Sequence, residues 1–310
     1  MESSLKKRLT YGPLMMAGLL LLLWVDHWAQ NWTRLHDINH IRSEDGPAAG
    51  VGGIGLMIIL MIALPPATLE LAMLFAAERV RPYRMISAIG SGALVIHAFC
   101  TQFRKFQLYS TSALAFIIVC VMLLAALRRA MGKHTQEAII RMAGTVLATL
   151  YLGGLAWFLM ALRVKQSARP DRYGGTTMVV VLILLTVKFT DIGAYFGGRK
   201  FGKHKLIPWL SPGKTWEGLF FGLATAGIVG AILARFINPP DYHLEWWKGF
   251  IFGVLIGGVG QLGDLLESLF KRDAEVKDSS QLIPGFGGVL DVIDSPLLAA
   301  PVAYLLFSLF

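Results

Sequence analysis

The sequence predicts an all-α fold: a polytopic integral membrane helix bundle of about nine transmembrane helices. Three observations carry this reading. Hydrophobic residues fill 55% of the 310 positions, and mean hydropathy is +0.58. Asp, Glu, Lys and Arg reach only 16%, against about 25% in an ordinary soluble domain. Apolar windows of roughly 18 residues or more recur along the chain, each long enough to cross a ~30 Å hydrocarbon layer. A β-barrel would show short alternating segments instead, and these are absent.

The first window, near 12–29, follows Lys6, Lys7 and Arg8 and looks at first like a secretory leader. No convincing small-x-small cleavage site follows it, so it reads as a retained span. The second, 49–77, is long and contains Pro65 and Pro66, which predict a kink or a split into a span plus a half-helix. Windows near 85–101, 110–128 and 138–161 are apolar, with ordinary loops between them. Four more, near 175–196, 217–237, 248–269 and 289–309, complete the set. By character the chain divides into an N-terminal transmembrane region, 1–170, and a C-terminal catalytic region with cytoplasmic loops, 171–310. Polar residues that need explaining gather in the second.

The formal net charge of +9 points to anionic partners such as lipid headgroups or nucleotides. An inside N-terminus puts seventeen Lys and Arg in inner segments and ten in outer ones, Arg163 among the ten. The positive-inside rule favours that orientation, which sets the polar loops 197–216 and 270–288 on the cytoplasmic face. Cys100 and Cys120 lie in apolar runs, so neither a disulfide framework nor a thiolate metal site is expected.

Several motifs tempt and fail. Gly50, Gly52 and Gly55 fit G-x-G-x-x-G, as do Gly258, Gly260 and Gly263, but no strand precedes either set. Glycines in apolar spans serve helix packing, as Gly253 and Gly257 would in G-x-x-x-G. "GGRKFGKH" has His204 where a P-loop needs Ser or Thr. A Gly-rich basic loop still suits a phosphate, whose oxygens its N–H groups and cations can meet. His36 and His40 have metal-compatible spacing but no third ligand, and read as a solvated loop.

Three polar groups carry the chemistry. In "KFTDIGAYFGGRKFGKHKLIPWLSPGKTWEG", Lys188 and Asp191 share one helical face inside an apolar span, where ionisable groups are costly and mark function. The following loop supplies Arg199, Lys200, Lys203, Lys205 and Lys214, and Ser211 or Thr215 can cap the next helix, whose N-terminus favours an anion. In "GDLLESLFKR", Asp264, Glu267 and Ser268 stand at i, i+3 and i+4 on one face, with Lys271 at i+7. Carboxylates with a hydroxyl suit a hard divalent cation such as Mg²⁺. In "IPGFGGVLDVIDS", Pro284, Gly285, Gly287 and Gly288 force a turn, and Asp291 and Asp294 follow on one face. Two carboxylate pairs at one membrane face repel unless a cation joins them. Metal, lysines and lipid together describe phosphoryl or nucleotidyl transfer onto a lipid phosphate.

The signature Ser268, "KR" at 271–272, "KD" at 277–278 and "SSQLIPGFGGVLDVIDS" resembles that of the phosphatidate cytidylyltransferase (CDP-diacylglycerol synthase) family. The "TDIGAYFGGRKFGKHKLIPWLSPGKTWEG" stretch is similar too, and together they cover roughly 188–295. The resemblance implies transfer of CMP from CTP to phosphatidate, with Mg²⁺ as cofactor and no nucleic-acid partner. It maps metal positions to Asp264, Ser268 and Asp291, with Asp294 and Glu267 close by. Lys271, Arg272, Lys277 and Asp278 match its signature positions, and their cations fall to the phosphates. Ser211 and Lys214 match its "SPxKT" element, and Asp191, Arg199, Lys203 and Lys205 belong to the same substrate region. Asp264, Asp291, Lys271 and Lys277 are the expected catalytic set. Phe286 stands where the family usually has His, and Val292 where it commonly has Arg. A CTP-dependent enzyme acting on another lipid phosphate or a polyprenol is one alternative; an ion-coupled transporter is another. The expected setting is the bacterial inner membrane, with the site cytoplasmic. The Gly-rich spans permit a homodimer without requiring one.

Overall fold

The computed structural model describes residues 2–35, 50–133, 135–167, 177–235, 245–276, 278–285 and 287–309. Every predicted apolar window holds a helix. The first half comprises α1 (Glu2–Leu35), α2 (Ile54–Ala77), α3 (Arg84–Cys100), the one-turn α4 (Arg104–Gln107) and α5 (Ser110–Met131). Then α6 (Ala138–Thr149) and α7 (Leu155–Ser167) form one rod, joined by a π-helical turn at Leu150–Gly154. The second half is α8 (Thr177–Phe201), β1 (Lys205–Ile207), β2 (Ser211–Thr215), α9 (Trp216–Ala234), α10 (Trp246–Asp273) and α11 (Leu290–Leu309). Seven described helices are long and apolar enough to cross a membrane: α2, α5, the α6–α7 rod, α8, α9, α10 and α11. The apolar α3 is shorter, at 17 residues. The protein is an all-α, polytopic membrane protein. The expected boundary near 170, and His36 and His40, lie outside the described residues.

Two local expectations change. Pro65 and Pro66 do not split α2, which runs unbroken from Ile54 to Ala77. Transmembrane helices tolerate proline because neighbouring helices and local adjustment accommodate the freed carbonyls. The 197–216 loop is partly ordered: α8 continues to Phe201, and β1 and β2 pair antiparallel, Lys205 opposite Thr215 and Ile207 opposite Ser211. So short a hairpin, with prolines at 208 and 212, carries almost no alternating pattern to read.

Small residues set the spacing of α8, α9 and α10. A Cβ on Gly222 of α9 would lie 2.8 Å from the Thr190 carbonyl oxygen of α8. One on Gly253 of α10 would lie 2.8 Å from the Ala226 carbonyl carbon of α9, and one on Gly257 2.6 Å from Thr190 Oγ1. Gly253 and Gly257 therefore spend their shared face within the chain, as close helix approach in membranes requires. Helix direction then sorts the polar residues. The ends of α2, α8 and α10 meet the starts of α9 and α11 on one side of the bundle, joined by Lys214–Asp264, Lys271–Asp291 and Glu70–Leu290 contacts.

A second polar centre occupies the opposite side. Asp26 of α1 and Arg163 of α7 are both fully buried and paired at 2.8 Å. Gly55 N donates to Asp26 Oδ1, Thr177 Oγ1 donates to Asp26 Oδ2, and Arg163 Nη2 donates to Gln30 Oε1. Arg163 is thus a buried structural cation, where its place near a span end had counted it among outer-loop charges.

Candidate active site

The β1–β2 hairpin delivers Lys214. Thr215, just beyond it, caps α9 by accepting from Gly218 N at 3.1 Å, so Thr215 is the cap in place of Ser211. Glu217 in the first turn accepts from Lys203 N, His204 N and His204 Nδ1, which pins the hairpin's approach. Lys214 then reaches α10, where its Nζ lies 2.5 Å from Asp264 Oδ2. One turn earlier in α10, Gln261 Nε2 donates to Asp191 Oδ1 at 2.7 Å, tying α8 to α10.

Lys271, from the last turn of α10, bridges two carboxylates: Glu267 Oε2 at 3.0 Å and Asp291 Oδ1 at 2.9 Å. Asp291 Oδ2 also accepts from Gly288 N at 2.9 Å, closing the turn that starts α11. Gly287 holds φ +99°, a conformation that a β-carbon disfavours, which explains glycine there.

The 279–290 segment is organised by a residue that the sequence reading passed over. Glu70 of α2 is 3% exposed. Its Oε1 accepts from Ser280 Oγ at 2.6 Å and Val289 N at 3.0 Å; its Oε2 accepts from Leu290 N at 2.7 Å and Ser279 Oγ at 3.2 Å. A carboxylate with four donors satisfies the turn's amides and its hydroxyls at once. The signal was available, since an ionisable residue inside an apolar span is a functional candidate by default.

One oxygen each from Asp264, Glu267 and Asp294 lies within 4.8 Å of the others. Glu267 and Asp294 are buried, and Glu267 Oε1 and Asp294 Oδ2 have no hydrogen-bond partner among the described residues. At an effective dielectric near 20, two such ionised carboxylates repel by about 3.5 kcal/mol. Among the described residues Lys214 and Lys271 touch this region and Lys188 stands within electrostatic reach of Asp191 and Asp294, against the five carboxylates of Asp191, Asp264, Glu267, Asp291 and Asp294. The donor set is all oxygen, under-neutralised and equipped with spare buried lone pairs. These residues fit a hard divalent cation. Ser268, half-buried, borders them.

Residues 48–310 match the model of the cytidylyltransferase family. The chain belongs to that family. A Bacillus subtilis member named as a phosphatidate cytidylyltransferase is 31% identical over 262 residues, 82% of this chain and 93% of that one. One from Haemophilus influenzae, of the same name, is 49% identical over 144 residues, 46% of this chain and 49% of that one. An uncharacterized Escherichia coli protein, YnbB, is 38% identical over 171 residues, 55% of this chain and 53% of that one. The chain thus spans about half the length of several curated relatives it matches and nearly all of the Bacillus protein.

Among the expected site residues, Asp191, Lys214, Asp264, Glu267, Lys271, Asp291 and Asp294 come together. Arg272 Nε donates to Leu210 O at 3.4 Å and braces α10 against the hairpin. Ser211 is half-buried at the start of β2. Arg199, Lys203 and Lys205 are exposed; Arg199 donates to Tyr195 Oη, and Lys205 Nζ to Pro212 O. Lys277 and Phe286 lie outside the described residues.

Proposed function

We propose that this protein transfers the cytidylyl group of CTP to phosphatidate, releasing pyrophosphate and leaving CDP-diacylglycerol in the membrane. The observation that carries this reading is an oxygen-only cluster, Asp264, Glu267 and Asp294, flanked by Lys214 and Lys271 at one side of a membrane bundle. Membership of the cytidylyltransferase family and the names of the relatives support it. Those three carboxylates, with Ser268 and Asp291 adjoining, would hold Mg²⁺, which when bound would supply Lewis-acid polarisation and charge neutralisation for the transfer.

The chain's own residues do the rest. Lys271 bridges Glu267 and Asp291, and Lys214 pairs with Asp264, so each ammonium stands beside a carboxylate that the ion would neutralise. Freed from those carboxylates, the two lysines hold phosphate oxygens. Arg272, Lys277 and the exposed Arg199, Lys203 and Lys205 draw in the anionic nucleotide, and the Ser211 hydroxyl donates to a phosphate oxygen. Asp191, held by Gln261, fixes α8 against α10 so that Lys214 and Asp264 keep their register. A phosphatidate oxygen attacks the α-phosphorus as its bond to the β-phosphate oxygen breaks, which requires no enzyme nucleophile. The basic loops support a site on the cytoplasmic leaflet of a bacterial inner membrane.

The test is CMP transfer by purified protein with labelled CTP, Mg²⁺ and phosphatidate. Product from the wild type, lost in Asp264→Asn and Asp291→Ala, supports the reading. Product only with another lipid phosphate moves the acceptor; no turnover with any acceptor sinks the reaction.

A further inference from the structure

The π-helical turn Leu150–Gly154 interrupts the α6–α7 rod where it meets α3; a Cβ on Gly153 would lie 2.8 Å from Ser91 Cβ. Such single widened turns inside α-helices are frequent at functional sites. The side chain carried here is Tyr151. Its ring packs edge-on against Phe270 of α10, centroids 5.5 Å apart. Its hydroxyl is buried and has no hydrogen-bond partner among the described residues. It lies within electrostatic reach of Asp294 and Glu267, each of which also carries an unpartnered buried oxygen.

Buried phenols normally find a partner, because leaving the hydroxyl unpaired forfeits its hydration with nothing in return. The ring partner of Tyr151, Phe270, stands one turn beyond Glu267 on α10, yet the hydroxyl bonds to neither Glu267 nor Asp294. Tyr151 Oη, Glu267 Oε1 and Asp294 Oδ2 are thus buried polar atoms left without a partner among the described residues. The carboxylates call for a cation, and the phenol, a donor without charge, suits the anion that accompanies it.

We infer that Tyr151 is a substrate-binding residue whose hydroxyl donates to a phosphate oxygen brought into the Asp264–Glu267–Asp294 cluster. This rests on the transfer reaction proposed above. The phosphate belongs to CTP or to the lipid, and both offer the same acceptor chemistry. Tyr151 comes from the N-terminal half of the chain, so the pocket is completed by a helix far from the signature segments.

The variant Tyr151→Phe keeps the ring against Phe270 and removes only the hydroxyl. Thermal unfolding of the full chain in detergent is followed without ligand, with CTP and Mg²⁺ but no lipid, and with phosphatidate but no nucleotide. The ligand-free midpoint should stay or rise, since an unpaired buried hydroxyl is lost. A hydrogen bond to a charged oxygen predicts a roughly tenfold or greater rise in the half-saturating concentration of one ligand, and that ligand is the source of the phosphate. Unchanged titrations with both ligands overturn the inference, as does a ligand-free midpoint several degrees lower, which would make the hydroxyl structural. No stabilisation of the wild type by either ligand overturns it together with the reaction. Binding lost in Tyr151→Phe while even the wild type fails to turn over keeps Tyr151 and sinks the reaction.

Discussion

Two centres of buried charge share α8, and they differ in one respect. At its start, Thr177 joins Asp26 and Arg163 in a closed set: both carboxylate oxygens of Asp26 accept hydrogen bonds, and Arg163 reaches Gln30 besides. Fourteen residues later, about 21 Å along the helix, Asp191 faces the acidic cluster around Asp264. There Glu267 Oε1 and Asp294 Oδ2 remain unmatched among the described residues. Both centres bury charge in an apolar bundle. The first answers each charge from within the chain and so reads as architecture. The second gathers more carboxylates than cations among the described residues, an arrangement relieved by proton uptake or by a bound cation.

The largest expected effect tests the closed centre. Arg163→Met strands the Asp26 carboxylate and should cost about 3–5 kcal/mol of stability, seen as a lower unfolding midpoint and reduced yield. Turnover per folded molecule should be unchanged, and adding Asp26→Asn should restore part of the loss. A variant that folds normally but loses turnover would erase the distinction between the centres.

Asp294→Asn tests the open one. Turnover should fall roughly 10²–10³-fold, about 3–4 kcal/mol in the barrier, while the ligand-free midpoint holds or rises as repulsion is relieved. A midpoint that drops as in Arg163→Met would make this cluster structural as well.

Glu70→Gln is intermediate. The amide retains one acceptor oxygen and turns an NH₂ toward donors, which should cost about 1–3 kcal/mol locally. Amide exchange at Val289 and Leu290 should quicken and turnover should fall with it; unchanged exchange would remove Glu70 from the site's support. The smallest effect is expected at Lys205, whose exposed ammonium meets a carbonyl. Exposed charges contribute about 0.2–1 kcal/mol, so Lys205→Met should raise the KM for CTP less than about fivefold and leave kcat alone. A larger rise would place Lys205 on the phosphates.

The open centre was far more legible in the sequence than the closed one. Asp264, Glu267 and Asp294 stand out because helical spacing stacks carboxylates beside Lys271 and beside a glycine-rich turn, all within 31 consecutive positions, 264–294. Asp26 and Arg163 lie 137 residues apart, and no local pattern links them. Hydropathy located every helical window, since apolar length is what a bilayer selects. It marks Glu70 only as one carboxylate in an otherwise greasy helix, without its partners, and it is silent on Tyr151, an ordinary tyrosine in sequence. Both act through contacts that only packing creates. The hairpin escaped notice because eleven residues with two prolines carry no strand period.

The Glu70 bonds have a consequence for biogenesis. Its hydroxyl and amide partners begin 209 residues later, at Ser279. At typical synthesis rates of about 5–20 residues per second, α2 waits roughly 10–40 s before the chain that answers its carboxylate has been made. Through that interval the nascent protein carries an unsolved charge at the membrane face. Synthesis of Ser279, Ser280, Val289 and Leu290 therefore supplies, late in assembly, all four donors that answer this carboxylate.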